Sequence, residues 1–591
     1  MDAREARGIN SMQDKIKNLI KDSLKNLNIE ISNISLEHPE DLKNGEYSTN
    51  VAMAIAKSIE KNPKELADEI VTEILRLNIN KNIEKIEVAG AGFINFYLSK
   101  KFFSGSVEKI LNEGNDIGKN DVLSGQKIMI EYTDPNPFKP FHIGHLMTNA
   151  IGESIARILE RSGADVSRAN YQGDVGLHVA RAIYGLLQNE KLQDKTSSNI
   201  RQAENIGKAY AIGAEVYEND SEAKIEIDEI NKKIYSKSDK KINEIYDWGF
   251  KVTMEAFEDL YKILGTKFDF YFLESQMAPI GERIVKDNLD KIIDSSHSKM
   301  IFEESDGAIV FKAEKYDSKL HTRVFITREG LPTYETKELG LTEEKFKTAQ
   351  DVDLSIVVTA NEQADYMKVV AKAISLIHPE HEKKMKHITH GMMRFAEGKM
   401  GSRKGNVITG EALLNDVRDA VLEKMTDREF SNIEREKIAS DVGVAAIKYS
   451  ILKQSIGGDI IYDFESSISS EGDSGPYLQY SFARANSVLE KAKTENILPD
   501  PHAFPLEIFE VEKLLYKFPE IVLRSASEYE PHYIANYLIE VARAYNSFYG
   551  NTVIVNKEDK TSPYKIALTY AFSFIMKTGL HLLGIEAPKK M

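Results

Sequence analysis

Residues 130–152, IEYTDPNPFKPFHIGHLMTNAIG, decide how this chain is read. The run Lys127 to Thr133 is apolar and β-rich, and Asp134-Pro135-Asn136-Pro137 must end it, because proline offers no N–H to a ladder. Apolar residues then recur at helical spacing from Leu146 to Leu159, with Gly163 as the expected stop. A strand, a loop and a helix in that order open a parallel α/β sheet. The free N–H groups and positive dipole end of that helix favour an anion where His142-Ile143-Gly144-His145 stands. Two imidazoles can donate to phosphate oxygens there, and Gly144 leaves the backbone open to close approach. Taken alone, the tetrad also fits a plain helix start with two surface histidines.

A second stretch, Gly391 to Thr409 (GMMRFAEGKMGSRKGNVIT), sets Lys399, Arg403 and Lys404 among Gly398, Gly401 and Gly405. Cations on such a loop can neutralise charge as pyrophosphate leaves. The tetrad followed by this loop resembles the HIGH and KMSKS signatures of class I aminoacyl-tRNA synthetases. More narrowly, the chain resembles the arginyl-tRNA synthetase family nearly end to end. Gly45 to Ile70 with Val88 to Leu98 resembles the family's N-terminal domain, which holds the outer corner of tRNA. Ser474 to Arg484 and Gly579 to Met591 resemble its anticodon-binding bundle. Three departures stand out: Ala91 for the usual proline, Val175 for tryptophan, and Glu338 for aspartate.

The fold this implies is α/β: a Rossmann-like parallel-sheet catalytic core with a helical insertion, after a small α+β domain and before an all-α bundle. The expected boundaries are 1–124, 125–410 with the insertion at about 190–262, and 411–591. Periodicity agrees, since Lys191 to Leu260 is charged and helical, and the last third carries apolar residues at three-and-four spacing. Strands are expected at Ala308–Lys312 and Val324–Thr327, within a third part of the core that returns to α/β alternation.

By the resemblance, His142, His145, Lys399 and Lys404 are catalytic, and ATP is held by His142, Gly144, His145, Lys139, Lys399, Met400 and Lys404. Asn136, His145 and Asn170 orient the head of L-arginine, and Asp165, Tyr334, Glu338 and Gln363 read its side chain. Because Ser402 stands at the second lysine of KMSKS, Lys404 or Lys139 is left to supply that charge. Tyr477, Tyr480 and Arg484 are the tRNA-stacking candidates, since unpaired bases lie on aromatic faces and guanidinium planes. Most other aromatics of the bundle are expected to be core.

Composition limits the rest. The chain has 591 residues, net charge −15 and pI near 5.5, so several cores are expected and RNA contact must use local basic surface. One candidate patch is Lys383, Lys384, Lys386, His387, His390 and Arg394. No cysteine is present, which excludes disulfides and thiolate zinc sites and suits the cytoplasm. Neither a membrane span nor a signal peptide is expected. The expected partners are ATP with Mg2+, L-arginine and tRNA(Arg), with no zinc or other protein-held metal, and the chain is expected to be monomeric. Residues 1–11 read as a tail of no assigned purpose. Two rivals remain: a catalytically silent paralogue acting as a tRNA- or protein-binding module, and a small-molecule adenylyltransferase.

Overall fold

The computed structural model describes residues 11–591 apart from 78–80, 295–298, 350, 397–408, 426–429, 504 and 506. The first unit holds α1 (Met12–Asn26), β1 (Tyr47–Thr49), α2 (Val51–Ala56), α3 (Pro63–Arg76), β2 (Ile83–Ala89) and β3 (Phe93–Leu98), followed by α4 (Lys100–Glu113). Its three strands form an antiparallel sheet of order β1-β3-β2. Asn62 starts α3 by accepting the N–H groups of Lys64 and Glu65, with Pro63 at the first position, where a missing N–H costs nothing.

The core begins with β4 (Lys127–Glu131), α5 (Ile143–Arg161), β5 (Asp165–Gln172) and α6 (Leu177–Gln188). The expected insertion is α7 (Asn199–Asn219), α8 (Ser221–Ser236) and α9 (Lys240–Leu264), after which β6 (Phe270–Leu273) and α10 (Glu274–Asp287) rejoin the core. Next come a two-stranded ribbon, β7 (Ile292–Asp294) with β8 (Lys299–Met300), and the strands β9 (Glu303–Ser305), β10 (Ala308–Phe311) and β11 (Arg323–Ile326). The sequence marks β10 and β11 correctly as strands but gives no hint of their partners. They form a separate antiparallel sheet, β11-β10-β9, instead of joining the parallel one. The core then closes with α11 (Tyr334–Thr348), β12 (Leu354–Ala360), α12 (Ala364–Ile377), α13 (Pro379–Glu382) and β13 (Met385–His390).

The main sheet has the order β13-β12-β4-β5-β6, and every pairing is parallel. The chain leaves β4 first to one side and later to the other. That reversal opens a crevice at the carboxyl ends of β4 and β12, where ligands bind in such sheets.

The last part contains β14 (Met393–Phe395), α14 (Gly410–Lys424), α15 (Asn432–Leu452), β15 (Ile460–Tyr462), α16 (Phe464–Ser467), α17 (Gly475–Thr494), α18 (Glu512–Leu515), α19 (Phe518–Glu528), α20 (His532–Asn551) and α21 (Ser562–Leu582). β14 and β15 pair in parallel, so α14 and α15 are held in a loop that begins and ends at the core. Of the bundle aromatics Tyr477, Tyr480, Phe482, Tyr533, Tyr537, Tyr545, Phe548 and Tyr549, only Phe482, Tyr537, Tyr545 and Phe548 are core, half rather than the expected majority; Tyr477, Tyr480 and Tyr533 are half-buried and Tyr549 is exposed. No helix among the described residues is long and apolar enough to cross a membrane.

Helix α5 is what the architecture positions. From His145 to Leu159 only Arg157 escapes full burial, because the sheet covers one side of the helix and the bundle the other. Its far end is tied to the chain's last residues: Ser154 Oγ donates to Leu582 O (2.8 Å) and Arg157 Nη1 to His581 O (2.9 Å). Lys448 of α15 is buried beside them, donating to Leu264 O (2.6 Å) and Gly584 O (2.9 Å), and burial pushes its pKa down to about 7. The N-terminal unit docks on the same bundle through Tyr47 and His38, which both reach Glu520 (2.7 and 3.0 Å), and through Lys513 on Glu46 (3.2 Å).

Candidate active site

β4 ends at Glu131, and the loop after it carries three non-glycine residues with left-handed backbones: Thr133 (φ 78°), Asp134 (φ 47°) and Phe138 (φ 66°). Each costs on the order of 1–3 kcal/mol, so neighbours must hold it in place. Asn149 Nδ2 donates to Thr133 Oγ1 (3.0 Å), the Tyr171 N–H donates to Asp134 Oδ1 (2.7 Å), and buried Phe138 stacks on Tyr246 (5.8 Å, 28°). This strained turn delivers the tetrad to the start of α5.

His142 is the residue just before α5, and its N–H donates to His145 Nδ1 (3.2 Å). The two rings stack with centroids 3.5 Å apart. His145 is 6% exposed, whereas His142 faces solvent. Burial, then His142 and Lys139, hold the His145 imidazole well below its ordinary pKa; burial and Lys139 lower His142 as well. His145 is therefore neutral at pH 7, and because Nδ1 accepts, its proton sits on Nε2, the nitrogen left for a ligand. Gly144 is glycine because a Cβ there would lie 3.0 Å from the His142 ring. Lys139 is half-buried, its Nζ 5.6 Å from the Tyr210 ring centroid, and burial followed by Arg181 lowers its pKa.

The second expected signature, with Lys399, Met400, Ser402, Arg403 and Lys404, lies outside the described residues. Its flanks are informative. β14 ends at Phe395, and after the gap Thr409 pairs with His142 while the Gly410 N–H donates to Phe141 O (2.7 Å). The segment thus rejoins the fold against the tetrad itself.

Acids collect on the other side of the β4 terminus. Glu131 and Lys345 of α11 form a buried ion pair. The carboxylate of Glu338, two turns earlier on α11, has no hydrogen-bond or ion-pair partner among the described residues, and burial together with Glu131 lifts its pKa to about 8. Tyr366 faces it and donates to Gln363 Oε1 (3.1 Å) just past β12. Tyr334, 64% exposed at the start of α11, has Lys337 Nζ 5.2 Å from its ring centroid, and Lys337 makes a buried pair with Glu274 (2.6 Å). Asn136 Oδ1 lies over Gly173, where a Cβ would approach it to 2.2 Å. Asn170 is buried and donates to Tyr132 O (3.2 Å), while its Oδ1 and both amide atoms of buried Gln172 have no partner among the described residues. Unfilled polar capacity of this kind, at the carboxyl end of β5, marks a place for a polar ligand.

Asp165 must be withdrawn from the site. It is the first residue of β5, exposed, and paired in register with Lys127 at the start of β4. At ~3.3 Å per residue the length of β5, on the order of 20 Å, separates it from the crevice. The acid at the crevice end of the neighbouring strand is Glu131, the last residue of β4, which the sequence hid inside an apolar run. Asp165→Asn is expected to leave the KM for arginine within about twofold of wild type, as for a surface change; a large rise would restore Asp165 to the site. Glu274, Lys337 and His178 were also missed. His178 donates from Nε2 to Gly173 O (2.7 Å), and burial drops its pKa to about 3. Asp174 is structural, accepting from Ser275 N and Oγ (2.8 and 2.6 Å) and Tyr246 (2.9 Å).

The bundle candidates do come together. Arg484 lies over Tyr480 (4.7 Å) and Tyr549 (5.0 Å) and donates to Asn546 Oδ1 (2.6 Å), whose Nδ2 donates to Tyr477 Oη (2.9 Å). All three candidates are half-buried, with faces left open. The basic patch does not assemble: His390 is buried, His387 pairs with Thr359 (2.7 Å), Lys384 donates to Val352 O (2.8 Å), and Arg394 pairs with Asp459 (2.8 Å). Strand alternation along β13 sends His387 and His390 to opposite faces, and Arg394 lies on a different strand, β14. Among the described residues, a group of metal-ligand type, His378, Glu380 and His381, sits just before the amino end of the edge strand β13, away from the carboxyl ends that form the crevice.

The model of the class I tRNA synthetase (R) catalytic domain matches residues 106–464, more than half of the chain. The chain belongs to the class I arginyl-tRNA synthetase family. An arginyl-tRNA synthetase N-terminal domain matches 14–98 and a DALR anticodon-binding domain 478–591, so the catalytic match runs past residue 410 to include β15. The arginine–tRNA ligase of Clostridium perfringens is 30% identical over 585 residues, covering 97% of this chain and 100% of its own length. That of Lactococcus lactis is 32% identical over 553 residues, 91% and 93% of the two chains. Solved arginyl-tRNA synthetases from Thermus thermophilus (22% identity, TM-score 0.77, 98% of this chain and 100% of that one) and Plasmodium falciparum (20%, 0.77, 99% and 100%) share the fold. The chain is an aminoacyl-tRNA synthetase.

Proposed function

We propose that the crevice activates L-arginine with ATP and passes the arginyl group to tRNA(Arg), with its two sides dividing the work. The observation that carries this is the neutral histidine pair at the α5 start set beside acids that exceed their cations. A triphosphate suits the first side. His145 Nε2–H, His142, Lys139 and the α5 N-terminus donate toward its oxygens, with Gly144 leaving room. Lys399, Met400 and Lys404 would join them from the segment that returns at Thr409. Mg2+ bound to the ATP substrate would share the charge of the leaving pyrophosphate with these donors.

A guanidinium suits the second side. Glu131 and Glu338 accept from it, with Tyr334 and Gln363 near its plane, while Asn136, Asn170 and His145 hold the α-amino and carboxylate ends. One arginine carboxylate oxygen then attacks the α-phosphorus of ATP and pyrophosphate leaves. The ribose hydroxyl at the 3′ end of tRNA attacks the arginyl carbonyl and AMP leaves. No covalent enzyme intermediate is needed, so positioning and charge stabilisation carry the rate. Tyr477, Tyr480 and Arg484 offer stacking faces to unpaired bases. The lack of cysteine supports a cytoplasmic enzyme. The silent-paralogue reading gains nothing from a site whose histidines are both present and correctly oriented.

Exchange of labelled pyrophosphate into ATP, run with each proteinogenic amino acid, with and without tRNA, tests the assignment. Arginine alone should support exchange; exchange with another amino acid, or with none, overturns it.

A further inference from the structure

We propose that Asp134 is a third carboxylate of the guanidinium end, beside Glu131 and Glu338, and that arginine binding there drives out a proton which Asp134 and Glu338 share before the ligand arrives. The inference rests on the arginine reading above and adds to it a residue and a proton.

The backbone places Asp134 unusually. Thr133 and Asp134 both turn left-handed just where β4 stops pairing, and this folds the Asp134 side chain back to accept the Tyr171 N–H at 2.7 Å. Oδ1 thereby stands in for the carbonyl that the β4–β5 ladder has lost. Oδ2 has no partner among the described residues, so half of the carboxylate remains for a ligand.

The surrounding charges do not balance. Glu131 of β4, Glu338 and Glu335 of α11, Glu274 of α10, Tyr171 of β5, Tyr366 of α12 and Tyr261 of α9 face this corner. Among the described residues the cations are Lys345, already paired with Glu131, and Lys337, already paired with Glu274, which also feels Lys139; Arg323 lies 3.6 Å from Glu335. Asp134 and Glu338 are left without a positive partner of their own among the described residues. Two half-buried carboxylates without cations of their own repel each other and are partly withdrawn from water, which favours uptake of a proton before arginine binds. The pKa shifts run the same way. Burial, then Glu131, raises both Asp134 and Glu338, the latter to about 8.

A guanidinium reverses this. Its five N–H donors are fixed in a plane and can serve more than one carboxylate at once. Its charge favours the ionised acids, so the proton leaves to solvent as arginine enters. A ligand without a delocalised cation cannot offer the same exchange, which makes the extra acid a specificity device as well as a binding one.

The test is calorimetric titration of L-arginine into the full-length enzyme at pH 7, in two buffers of different ionisation heat. With a carboxyl raised to about 8 before arginine binds, wild type should release about half to one proton per arginine. Asp134→Asn keeps an oxygen for the Tyr171 N–H and loses the charge. Its proton count should fall by about half or more, and its Kd for arginine should rise on the order of tenfold, with ATP binding unchanged. A wild-type count of zero overturns the proposal without any variant. So does an Asp134→Asn enzyme with both quantities unchanged, because Asp134 would then only shape the turn. Absence of any saturable arginine heat in wild type removes the arginine reading itself, a result distinct from binding without proton release.

Discussion

Glu338→Gln should raise the KM for arginine by roughly 10- to 150-fold while moving the KM for ATP by less than about twofold. A charged hydrogen bond to the guanidinium is worth about 1.5–3 kcal/mol, and the amide keeps the shape of the carboxylate but not its charge. The size of the loss should depend on pH, and its sign is fixed by the empty site. Glu338 titrates near 8 there, so at pH 7 wild type must give up a proton before it can bind fully. Its KM for arginine should therefore fall as pH rises through about 8, whereas the variant's KM should stay flat over that window. Stability moves the other way. A carboxyl whose folded pKa lies above its unfolded value stabilises the fold below the unfolded value and loses that contribution as pH rises through the folded one. Above pH 8 the variant, which resembles the protonated acid, should melt no lower than wild type. That separates lost binding from lost folding. A KM for ATP that rises as much as that for arginine would place Glu338 on the wrong side of the crevice.

This residue also shows what the sequence could and could not yield. Glu338 could be found because it lies four residues after Tyr334 on a helix that follows a strand, in a family-like phrase. Glu131 could not, since a glutamate inside KIMIEYT reads as a polar interruption of a buried strand, and only Lys345 across the sheet face explains it. Asp165 failed for a related reason. Periodicity says that a residue is in β5, but the end of the strand it occupies is fixed by the parallel register with Lys127, a non-local fact. The same limit hid the antiparallel partners of β10 and β11. Local signals fared better where the physics is local: the strand break at Asp134-Pro135, the helix start at the tetrad, and the aromatic spacing that sends Tyr545 inward while Tyr480 and Arg484 stay half-open. A run of basic letters such as Lys383 to Arg394 carries no such guarantee, because each charge can find its own carbonyl or acid.

His145→Ala should lower the turnover number by roughly ten- to a thousandfold with a much smaller change in the KM for ATP, the pattern of a donor that acts on charge developing in the transition state. The geometry explains why this histidine should matter more than its neighbour. His145 is buried against Phe141 (5.2 Å) and His142 (3.5 Å), it is neutral, and the His142 N–H on Nδ1 commits its proton to Nε2. A donor fixed in this way needs no reorganisation as pyrophosphate begins to leave, and low surrounding polarity strengthens what it gives. Alanine removes the donor, leaves the His142 N–H without its acceptor and frees the His142 ring to move, so some of the loss would be positional. His145→Asn tells the two apart. Its amide oxygen can accept the His142 N–H and restore the turn, but its NH2 group sits nearer the backbone than Nε2 does. Recovery of α5 stability without recovery of turnover is the expected outcome for Asn, measured as single-turnover adenylate formation beside thermal melting. An alanine enzyme with wild-type turnover would remove His145 from the chemistry and leave it as packing beneath His142.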